Sequence, residues 1–327
     1  MPHALLADLT RKVRQRAHPA DTPCSACAAT TLADRPDATV VRHAGTVAKA
    51  HAPHTDPAAL AARLAIVARL PDVLLPPLTG SPLTLHGRLV TFWPYGAPVD
   101  PDDPDAAPWE AAATLLAHLH RTPAPPDLPD MRGPAKAADA VSRLRAALDV
   151  TPTPPAEGTA RIPAPLTSAM PVLRAWAALP DWARAEAPMP GPFALCHGDL
   201  HLGQLVRHSA AAGAWRLIDV DDLGVGVPAW DLARPAAWYA CGLLPPEEFS
   251  RFLDAYRAAG GPAVPATGDP WPALDVPARA LTVQTAARAL VKAHAAGRPL
   301  DEVEQAVVDA CARMVGAPAQ TAAQVTP

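Results

Sequence analysis

The sequence predicts an α+β fold with a small β-rich N-terminal lobe and a larger, mainly helical C-terminal lobe. Short strand-like patterns are concentrated in residues 38–96, whereas amphipathic helical patterns dominate from residue 109 onward. An acidic, proline-rich stretch separates the two patterns. We therefore expect an N-terminal lobe at 1–96, a connector at 97–108 and a helical lobe at 109–327.

The predicted N-terminal elements are short. Residues 1–35 predict an amphipathic helix followed by a turn, and 38–53 predicts two strands joined at "HAG". Residues 56–70 predict a helix that begins at Asp56, a favoured N-cap residue, with Pro57 at its first position. The segments "VLLPPL" and "TLHGRLVTFWPYG" predict further strands, so we expect a small sheet with a helix packed on it.

Helical patterns recur through the C-terminal part. They occur in "WEAAATLLAHLHR", "AADAVSRLRAAL", "MPVLRAWAALPDWARAEA", "PEEFSRFLDAYRAA", "VPARALTVQTAARALVKAHAAG" and "LDEVEQAVVDACARMV". Three strand-like pieces, "PFALC", "QLVR" and "WRLIDV", stand between the third and the fourth of these helices. The polar motifs described below lie at the ends of these three pieces.

The composition excludes several classes of protein. Of the 327 residues, 42 are proline, which predicts short helices and strands with sharp ends. The net charge of −4 offers no basic footprint for nucleic acid or a membrane surface, and no apolar run approaches the ~18 residues of a membrane span. Five cysteines in a chain of this length are typical of a reducing compartment, so we expect a cytoplasmic protein.

Polar side chains interrupt an apolar segment in "LCHGDLHLGQLV". His197, Asp199, His201 and Gln204 lie between two strand-like pieces, and a second acidic run, "LIDVDD", follows. Phosphoryl transfer needs a carboxylate that orients a hydroxyl group, together with amide and carboxylate oxygens that bind Mg²⁺. The spacing His–x–Asp–x4–amide is that of the protein-kinase loop H-R-D-x-x-x-x-N, which supplies such groups.

The two motifs together resemble those of the aminoglycoside phosphotransferase/choline kinase-like family, which has a bilobal protein-kinase-like fold. The family's loop is HGDxHxxN and its metal strand is IDFDDxGxGDPxxDLA; this chain has "LCHGDLHLGQLV" and "WRLIDVDDLGVGVPAWDLARP". The helix "WEAAATLLAHLHRTP" and the hinge-like "VTFWPYG" are also similar. The resemblance extends over roughly residues 38–257. It implies a phosphotransferase that uses ATP or GTP with Mg²⁺ and acts on a hydroxyl of a small molecule.

The resemblance implies a role for each matching residue in the helical lobe. Asp199 matches the catalytic aspartate that orients and deprotonates the acceptor hydroxyl, and Asp231 in "WDLA" matches the buried aspartate that braces the catalytic loop. His197 is implied to pack and hydrogen-bond within this loop. Asp219 and Gln204 are implied to bind Mg²⁺. Glutamine replaces the family's usual asparagine here, in a shorter loop that resembles that of actinobacterial maltokinases.

The resemblance also implies a nucleotide site in the N-terminal lobe, with Lys49 on the phosphates and Thr91, Phe92 and Trp93 as binding residues. Lysine usage supports the first assignment independently, because Lys49 is the only one of four lysines within a predicted strand. A compact ammonium group suits a phosphate site better than a guanidinium group does. The acceptor would be an aminoglycoside or other antibiotic, implying antibiotic resistance, or a sugar or an amino alcohol.

Two departures from the family pattern favour an alternative, a nucleotide-binding protein with weak or no turnover. The helix after Lys49 contains no acid that could pair with this lysine, and only Asp56 and Asp72 lie at its ends. Unless another acid holds it, Lys49 is expected to be mobile until Mg-nucleotide binds. The second departure is Val227, which replaces the usual aspartate of GxGDP.

A metal-dependent hydrolase is a less favoured alternative. His197, Asp199 and His201 form an H-x-D-x-H pattern that offers three ligands. This interpretation leaves Lys49, Gln204 and "WDLA" without a role.

A zinc site is a second metal alternative, and it would combine Cys24 and Cys27 with His51 and His54. The H-x2-H spacing is tighter than usual, so two small apolar cysteines in a turn are the favoured interpretation.

Acidic residues are candidates for contact with a cationic acceptor, although exposed acids are more often simply solvated. They are Asp100, Asp102, Asp103, Asp105, Glu247 and Glu248. In "TLLAHLH", His118 and His120 cannot lie on one helix face. The sequence predicts no oligomeric state.

Overall fold

The computed structural model describes residues 2–18, 28–103, 106–149, 164–208 and 213–316. The chain forms two compact units, and neither is continuous in sequence. The first comprises Met1–Leu115, Ala124–Pro129 and His201–Leu223; the second comprises Leu116–Pro123, Asp130–Leu200 and Gly224–Pro327. The lobe boundaries at 96 and 109 stay a prediction.

A five-stranded antiparallel sheet is the main element of the first unit. Its strand order is β1-β2-β3-β5-β4. The strands are β1 (Ala29–Asp34), β2 (Thr39–His43), β3 (Thr46–Ala50), β4 (Leu83–Leu85) and β5 (Arg88–Pro94). The predicted hairpin at "HAG" is confirmed, with Lys49 on β3 paired to Val40 on one side and Thr91 on the other.

Two helices belong wholly to this unit, α1 (Pro2–Ala17) and α2 (Pro57–Arg69). The apolar face of α1 packs on the sheet, where it forms a core with residues of β2, β3 and β5. The predicted cap of α2 is confirmed, since the carboxylate of Asp56 accepts a hydrogen bond from the N–H of Ala58 at 3.0 Å.

Two sequence predictions in this unit are wrong. β1 forms where only a turn was expected, because it is an exposed edge strand without apolar alternation. The segment "VLLPPL" is not a strand. Only Leu74 forms a bridge, to Leu217, whose carbonyl accepts the N–H of Leu75 and whose N–H donates to the carbonyl of Val73. The ladder does not continue because Pro76 and Pro77 have no N–H group.

A second, three-stranded sheet includes the part of the first unit formed by residues 201–223. Its order is β6-β8-β9, formed by β6 (Ala97–Pro98), β8 (Leu205–Arg207) and β9 (Trp215–Leu217). The segment that precedes β8 and the segment after β9 carry the two polar motifs.

The second unit is mainly helical, with one small antiparallel pair of strands, β7 (Ala194–Cys196) and β10 (Gly224–Gly226). Its helices are the end of α3 (Trp109–Arg121), α4 (Gly133–Asp149), α5 (Ala169–Ala177), α6 (Ala233–Ala240), α7 (Pro246–Ala258), α8 (Trp271–Ala295) and α9 (Glu302–Met314). The sequence did not predict α6. The apolar core joins buried residues of α4, α5, α8 and α9 with Trp230.

The helices of the described ranges do not include one that is both long and apolar enough to cross a membrane.

The start of α4 makes a close approach that only glycine permits. A Cβ atom added to Gly133 would lie 2.2 Å from Nε1 of Trp230, whose indole is buried. We predict that Gly133→Ala lowers the free energy of unfolding by about 1–3 kcal/mol in urea denaturation, because the indole must move. Gly80→Ala is the control, since nothing lies within 4 Å of its added Cβ. Equal stability of the two variants would contradict this packing.

Candidate functional site

The polar loop after β7 begins inside the second unit. Cys196, which ends β7, and the following His197 are fully buried. Gly198 has a φ of 83°, in the left-handed region that favours glycine. This turn leads from the buried strand to Asp199, whose side chain is 20% exposed. The buried N–H groups of such a turn need hydrogen-bond partners.

Asp231 provides these partners. Its carboxylate is 1% exposed and accepts hydrogen bonds from the backbone N–H groups of His197 at 2.6 Å and Gly198 at 2.7 Å. Nε2 of His120 lies 3.0 Å from the same carboxylate. Burial opposes the charge, but His120 and His197 outweigh it and lower the pKa of Asp231. The predicted bracing role depends on these hydrogen bonds.

His120 is held on its other side by Tyr256. Nδ1 of His120 lies 2.7 Å from the tyrosine hydroxyl, which also accepts the N–H of Ala263 at 3.0 Å. The carboxylate of Asp231 accepts from Nε2–H of His120, and in this tautomer Nδ1 accepts the hydroxyl proton of Tyr256. His118 is exposed on the other face of α3, which confirms that the two histidines do not share a face.

Two cations hold the carboxylate of Asp199. Nζ of Lys136, on α4, lies 2.6 Å from Oδ2, and Nη2 of Arg234, on α6, lies 3.2 Å from Oδ1. Arg234 also donates through Nε to the carbonyl of Leu200 at 2.9 Å. Burial lowers the pKa of Arg234, and the positive charge of Arg288 acts in the same direction. The cleft around Asp199 is completed by Gly198, Trp230, Leu281 and Gln284.

In the first unit, Lys49 lies between two carboxylates. Its Nζ is 2.6 Å from Oδ1 of Asp219 and 2.9 Å from Oδ2 of Asp221. Burial opposes the ammonium charge, but the two carboxylates outweigh it and raise the pKa of Lys49 above its usual value. The condition for a mobile Lys49, that no other acid holds it, is therefore not met. The acids come from the segment after β9, whereas Asp56 caps α2 and Asp72 pairs with an arginine.

Asp221 is held in turn by His51. Nδ1 of His51 lies 2.7 Å from Oδ1 of Asp221, and Nε2 lies 2.8 Å from Oγ1 of Thr91. His51 and Thr91 are fully buried. Burial alone would raise the pKa of Asp221, but Lys49 and His51 hold it well below its ordinary value. Both Asp221 and the lysine beside it are therefore charged.

Asp219 and Gln204 offer oxygen ligands of the kind that Mg²⁺ prefers. The backbone carbonyl of Gln204 accepts a hydrogen bond from the N–H of Ile218 at 2.9 Å, so Gln204 lies beside the residue that precedes Asp219. Asp219 has a φ of 66°, which aspartate tolerates, and its side chain is 33% exposed. One ammonium group between two carboxylates leaves a net negative charge, so this donor set fits a divalent cation.

Residues 31–274 match the model of the phosphotransferase enzyme family, APH. The chain belongs to this phosphotransferase family. Among curated proteins, no sequence matches the chain.

Solved structures share the fold of this phosphotransferase at low sequence identity. A choline/ethanolamine kinase family protein from Mesorhizobium loti is 17% identical, with 96% of each chain covered and a TM-score of 0.50. Spectinomycin phosphotransferase APH(9)-Ia is 12% identical, with 88% of each chain covered and a TM-score of 0.56. A Plasmodium vivax ethanolamine kinase is 11% identical over 93% of this chain and 85% of its own, with a TM-score of 0.55. These likenesses confirm the predicted fold class.

The residues on β5 that were predicted to bind nucleotide have different surroundings. The hydroxyl of Thr91 accepts a hydrogen bond from Nε1 of Trp93 at 2.8 Å. Phe92 is buried in the core under the sheet, and its carbonyl accepts the N–H of Leu78 at 2.7 Å. Trp93 is half-buried. Their nucleotide-binding roles stay predictions for this phosphotransferase.

The structure gives the hydrolase alternative no support. Nδ1 of His201 accepts the N–H of Gly203 at 3.1 Å and so caps the short turn Leu202–Gln204. Within the described part of the chain, the cluster with metal-ligand spacing is instead His120, Cys196 and Asp231. Burial raises the pKa of the Cys196 thiol, and the other two side chains hydrogen-bond to each other. This cluster fits a structural brace better than a metal site.

The zinc alternative cannot be placed, because Cys24 and Cys27 lie outside the described residues, as does Asp105. His51, its third candidate ligand, is committed to Asp221 and a threonine. Val227 precedes the turn Pro228–Trp230 and makes no side-chain capping bond there. This family member therefore forms the turn without the usual aspartate.

Sequence reasoning did not predict which groups would pair with the candidate charged residues. Lys136 and Arg234 contact Asp199, while Asp221 contacts Lys49 and is bound in turn to His51. Two weak signals were available, since Lys136 is one of only four lysines and Arg234 directly follows "WDLA". Neither signal specifies a partner.

The carboxylate of Asp231 provides a test of the brace. Asp231→Asn replaces a carboxylate oxygen with an amide N–H₂ group that cannot accept from the loop. We predict a loss of about 3 kcal/mol in the free energy of unfolding, measured in urea, because a buried backbone N–H loses its acceptor. Asp139→Asn is the control, since that carboxylate is 61% exposed. A loss no larger than the control's would show that Asp231 does not brace the loop.

Proposed function

We propose that this phosphotransferase moves the γ-phosphoryl group of ATP or GTP to a hydroxyl group of a small molecule. The observation that carries the proposal is the carboxylate of Asp199, presented at the end of a buried turn that Asp231 holds by two backbone hydrogen bonds. An aspartate fixed in this way suits a group that must orient one hydroxyl.

Asp199 is proposed to accept the hydroxyl proton as the hydroxyl oxygen bonds to the γ-phosphorus and the bond to the leaving nucleoside diphosphate breaks. Lys49 is proposed to neutralise phosphate charge, because a buried ammonium group can leave Asp219 for a phosphate oxygen at little desolvation cost. His197 has no access to solvent, so its role is limited to packing and hydrogen bonding in the loop.

Asp219 and Gln204 are the residues proposed to hold Mg²⁺. When bound, the ion neutralises the charge of the nucleotide phosphates. The carboxylate of Asp219 can serve it because Asp221 offers Lys49 a second partner.

Relatives in fold support a nucleotide donor. The structure of spectinomycin phosphotransferase contains ADP and spectinomycin, and that of aminoglycoside phosphotransferase APH(4)-Ia contains AMP-PNP and hygromycin B. The first is 12% and the second 13% identical to this chain. They support a nucleotide as the donor. The class of acceptor is inferred instead from the residues around Asp199.

The charges beside Asp199 favour a neutral or anionic acceptor over a polycation. Lys136 and Arg234 both contact its carboxylate, and Arg288 adds a third positive charge nearby. Two like charges 4 Å apart repel by about 4 kcal/mol at the effective dielectric constant of a protein surface. An ammonium group next to the reacting hydroxyl would meet this repulsion.

Three of the acids suggested from the sequence for a cationic acceptor make local contacts. Asp100 and Asp103 accept backbone N–H groups of their own segment, and Glu248 pairs with Arg251. A sugar, or an antibiotic whose hydroxyl lies away from ammonium groups, fits better than an aminoglycoside.

Of the two observations that favoured a nucleotide-binding protein without turnover, one remains. The missing acid on α2 no longer favours it, because Asp221 and Asp219 hold Lys49. The valine at position 227 remains a departure from the family's pattern.

A matched acceptor panel tests the proposal. Glucose, gluconate and glucosamine share a skeleton and differ in charge; maltose, choline and kanamycin extend the range. With Mg-ATP or Mg-GTP, we predict a new phosphate-monoester signal in ³¹P NMR for neutral or anionic acceptors. Their kcat/KM should exceed that of the cationic acceptors by at least ~10-fold.

Lys136→Met should reduce this preference, because it removes one of the cations. Preferred phosphorylation of kanamycin would overturn the acceptor assignment. Tight nucleotide binding without transfer to any member of the panel would favour the non-catalytic alternative.

A further inference from the structure

We propose that Asp221, anchored by His51, is the positioning residue of Lys49 and replaces the acid that α2 lacks. This inference rests on the proposed role of Lys49 at the nucleotide phosphates. In protein kinases, the corresponding lysine is aligned by a glutamate on the following helix. In this chain the helix is "PAALAARLAIVAR", which contains no acid.

Lys49 has two carboxylate partners, but they differ in what else they must do. Asp219 is proposed to bind Mg²⁺, and a carboxylate on a divalent cation has less negative charge to offer an ammonium group. Asp221 contacts Lys49 through Oδ2 at 2.9 Å, and its other oxygen is bound to a histidine rather than reserved for a metal. Asp221 can therefore hold Lys49 while Asp219 changes partner.

A chain of hydrogen bonds fixes the orientation of Asp221. Nε1 of Trp93 can only donate, and it does so to Oγ1 of Thr91 at 2.8 Å. Nε2 of His51 lies 2.8 Å from Oγ1 of Thr91, and Nδ1 lies 2.7 Å from Oδ1 of Asp221. Because a carboxylate only accepts, Nδ1–H of His51 donates to Asp221. The tautomer with its proton on Nδ1 lets the hydroxyl of Thr91 donate to Nε2, which satisfies every group in the chain.

His51, which anchors Asp221, is itself held by hydrogen bonds to its backbone. The N–H of His51 donates to the carbonyl of Leu89 on β5 at 2.9 Å, and the guanidinium of Arg88 donates to the carbonyls of Ala50 and His51. A helix can move as a body, whereas this histidine is tied to the same sheet as Lys49. The alignment of Lys49 therefore uses a histidine tied to its own sheet instead of an acid on α2.

Lysine NMR on the full chain tests the positioning without an acceptor. Selective ¹⁵N-lysine labelling gives at most four Nζ signals, and Lys49→Arg assigns the relevant one. The background is Asp219→Asn, which removes the other carboxylate. In Asp219→Asn, and in the control Asp219→Asn/Asp222→Asn, Asp221 still holds Lys49, so we expect slow hydrogen exchange at its Nζ. In Asp219→Asn/Asp221→Asn no carboxylate partner remains, so we expect fast exchange and loss of the signal.

The spectrum contains its own control for folding. Lys136 forms its ion pair in the second unit, so its signal should be unchanged in all these variants. A Lys49 signal that persists in Asp219→Asn/Asp221→Asn, with Lys136 unchanged, would overturn the inference. If the double variant unfolds the first unit, the single variants Asp221→Asn and Asp222→Asn are compared without nucleotide. Faster hydrogen exchange at Lys49 Nζ in Asp221→Asn supports the inference, and equal exchange overturns it.

Kinetics separate this inference from the proposed function. With the best acceptor, Asp221→Asn should lower kcat by ~10-fold or more, whereas Asp222→Asn, an equal change of charge one residue away, should stay within about twofold. Transfer by the wild type with equal kcat for both variants would overturn the positioning role and leave the proposed function intact. Absence of nucleotide binding in the wild type would overturn the proposed function, while the NMR result would still decide the placement of Lys49.

Discussion

The buried carboxylate of Asp231 is the constraint on which the active loop depends. A carboxylate with almost no access to water is stable only if hydrogen-bond donors surround it. Here the donors are two backbone N–H groups of the loop and a histidine on α3. Satisfying the acid therefore fixes the backbone at His197 and Gly198, and Asp199 follows directly from that turn. The stability of the loop and the presentation of Asp199 therefore have the same cause.

In the first unit the buried charge that needs partners is the ammonium group of Lys49. Lys49 is almost fully buried, so its charge needs compensation in every state of the protein. Two carboxylates provide more compensation than one ammonium group requires, and the excess negative charge suits a metal ion. A lysine with two partners can give up one of them without becoming an unpaired buried charge. The proposed exchange of Asp219 for phosphate at Lys49 would therefore not leave an unpaired buried charge.

Much of the fold followed from local patterns in the sequence. The cap at Asp56, the hairpin that carries Lys49 and the long helices were predictable because periodicity and capping act over a few residues. β1 was missed because an exposed edge strand has no apolar alternation, and Pro76 and Pro77 ended a strand that its apolar residues suggested.

Site residues were predictable only where they lie close together in the sequence. Motif spacing identified Asp199, Gln204 and Asp219 as candidates, because each lies in one short segment. Their ion-pair partners come from distant segments: 63 residues separate Lys136 from Asp199, and 170 separate His51 from Asp221. No local pattern encodes such pairs, so the restraint of Lys49 and the cations beside Asp199 required the structure.

The proposed role of Asp199 is to orient and deprotonate the acceptor without taking part in nucleotide binding. The most direct measurement compares Asp199→Asn with the wild type for both turnover, by ³¹P NMR, and the Kd of Mg-nucleotide, by calorimetry. We expect kcat to fall by at least ~10²-fold while Kd stays within about twofold, since the amide cannot accept the hydroxyl proton. Turnover close to that of the wild type would contradict it.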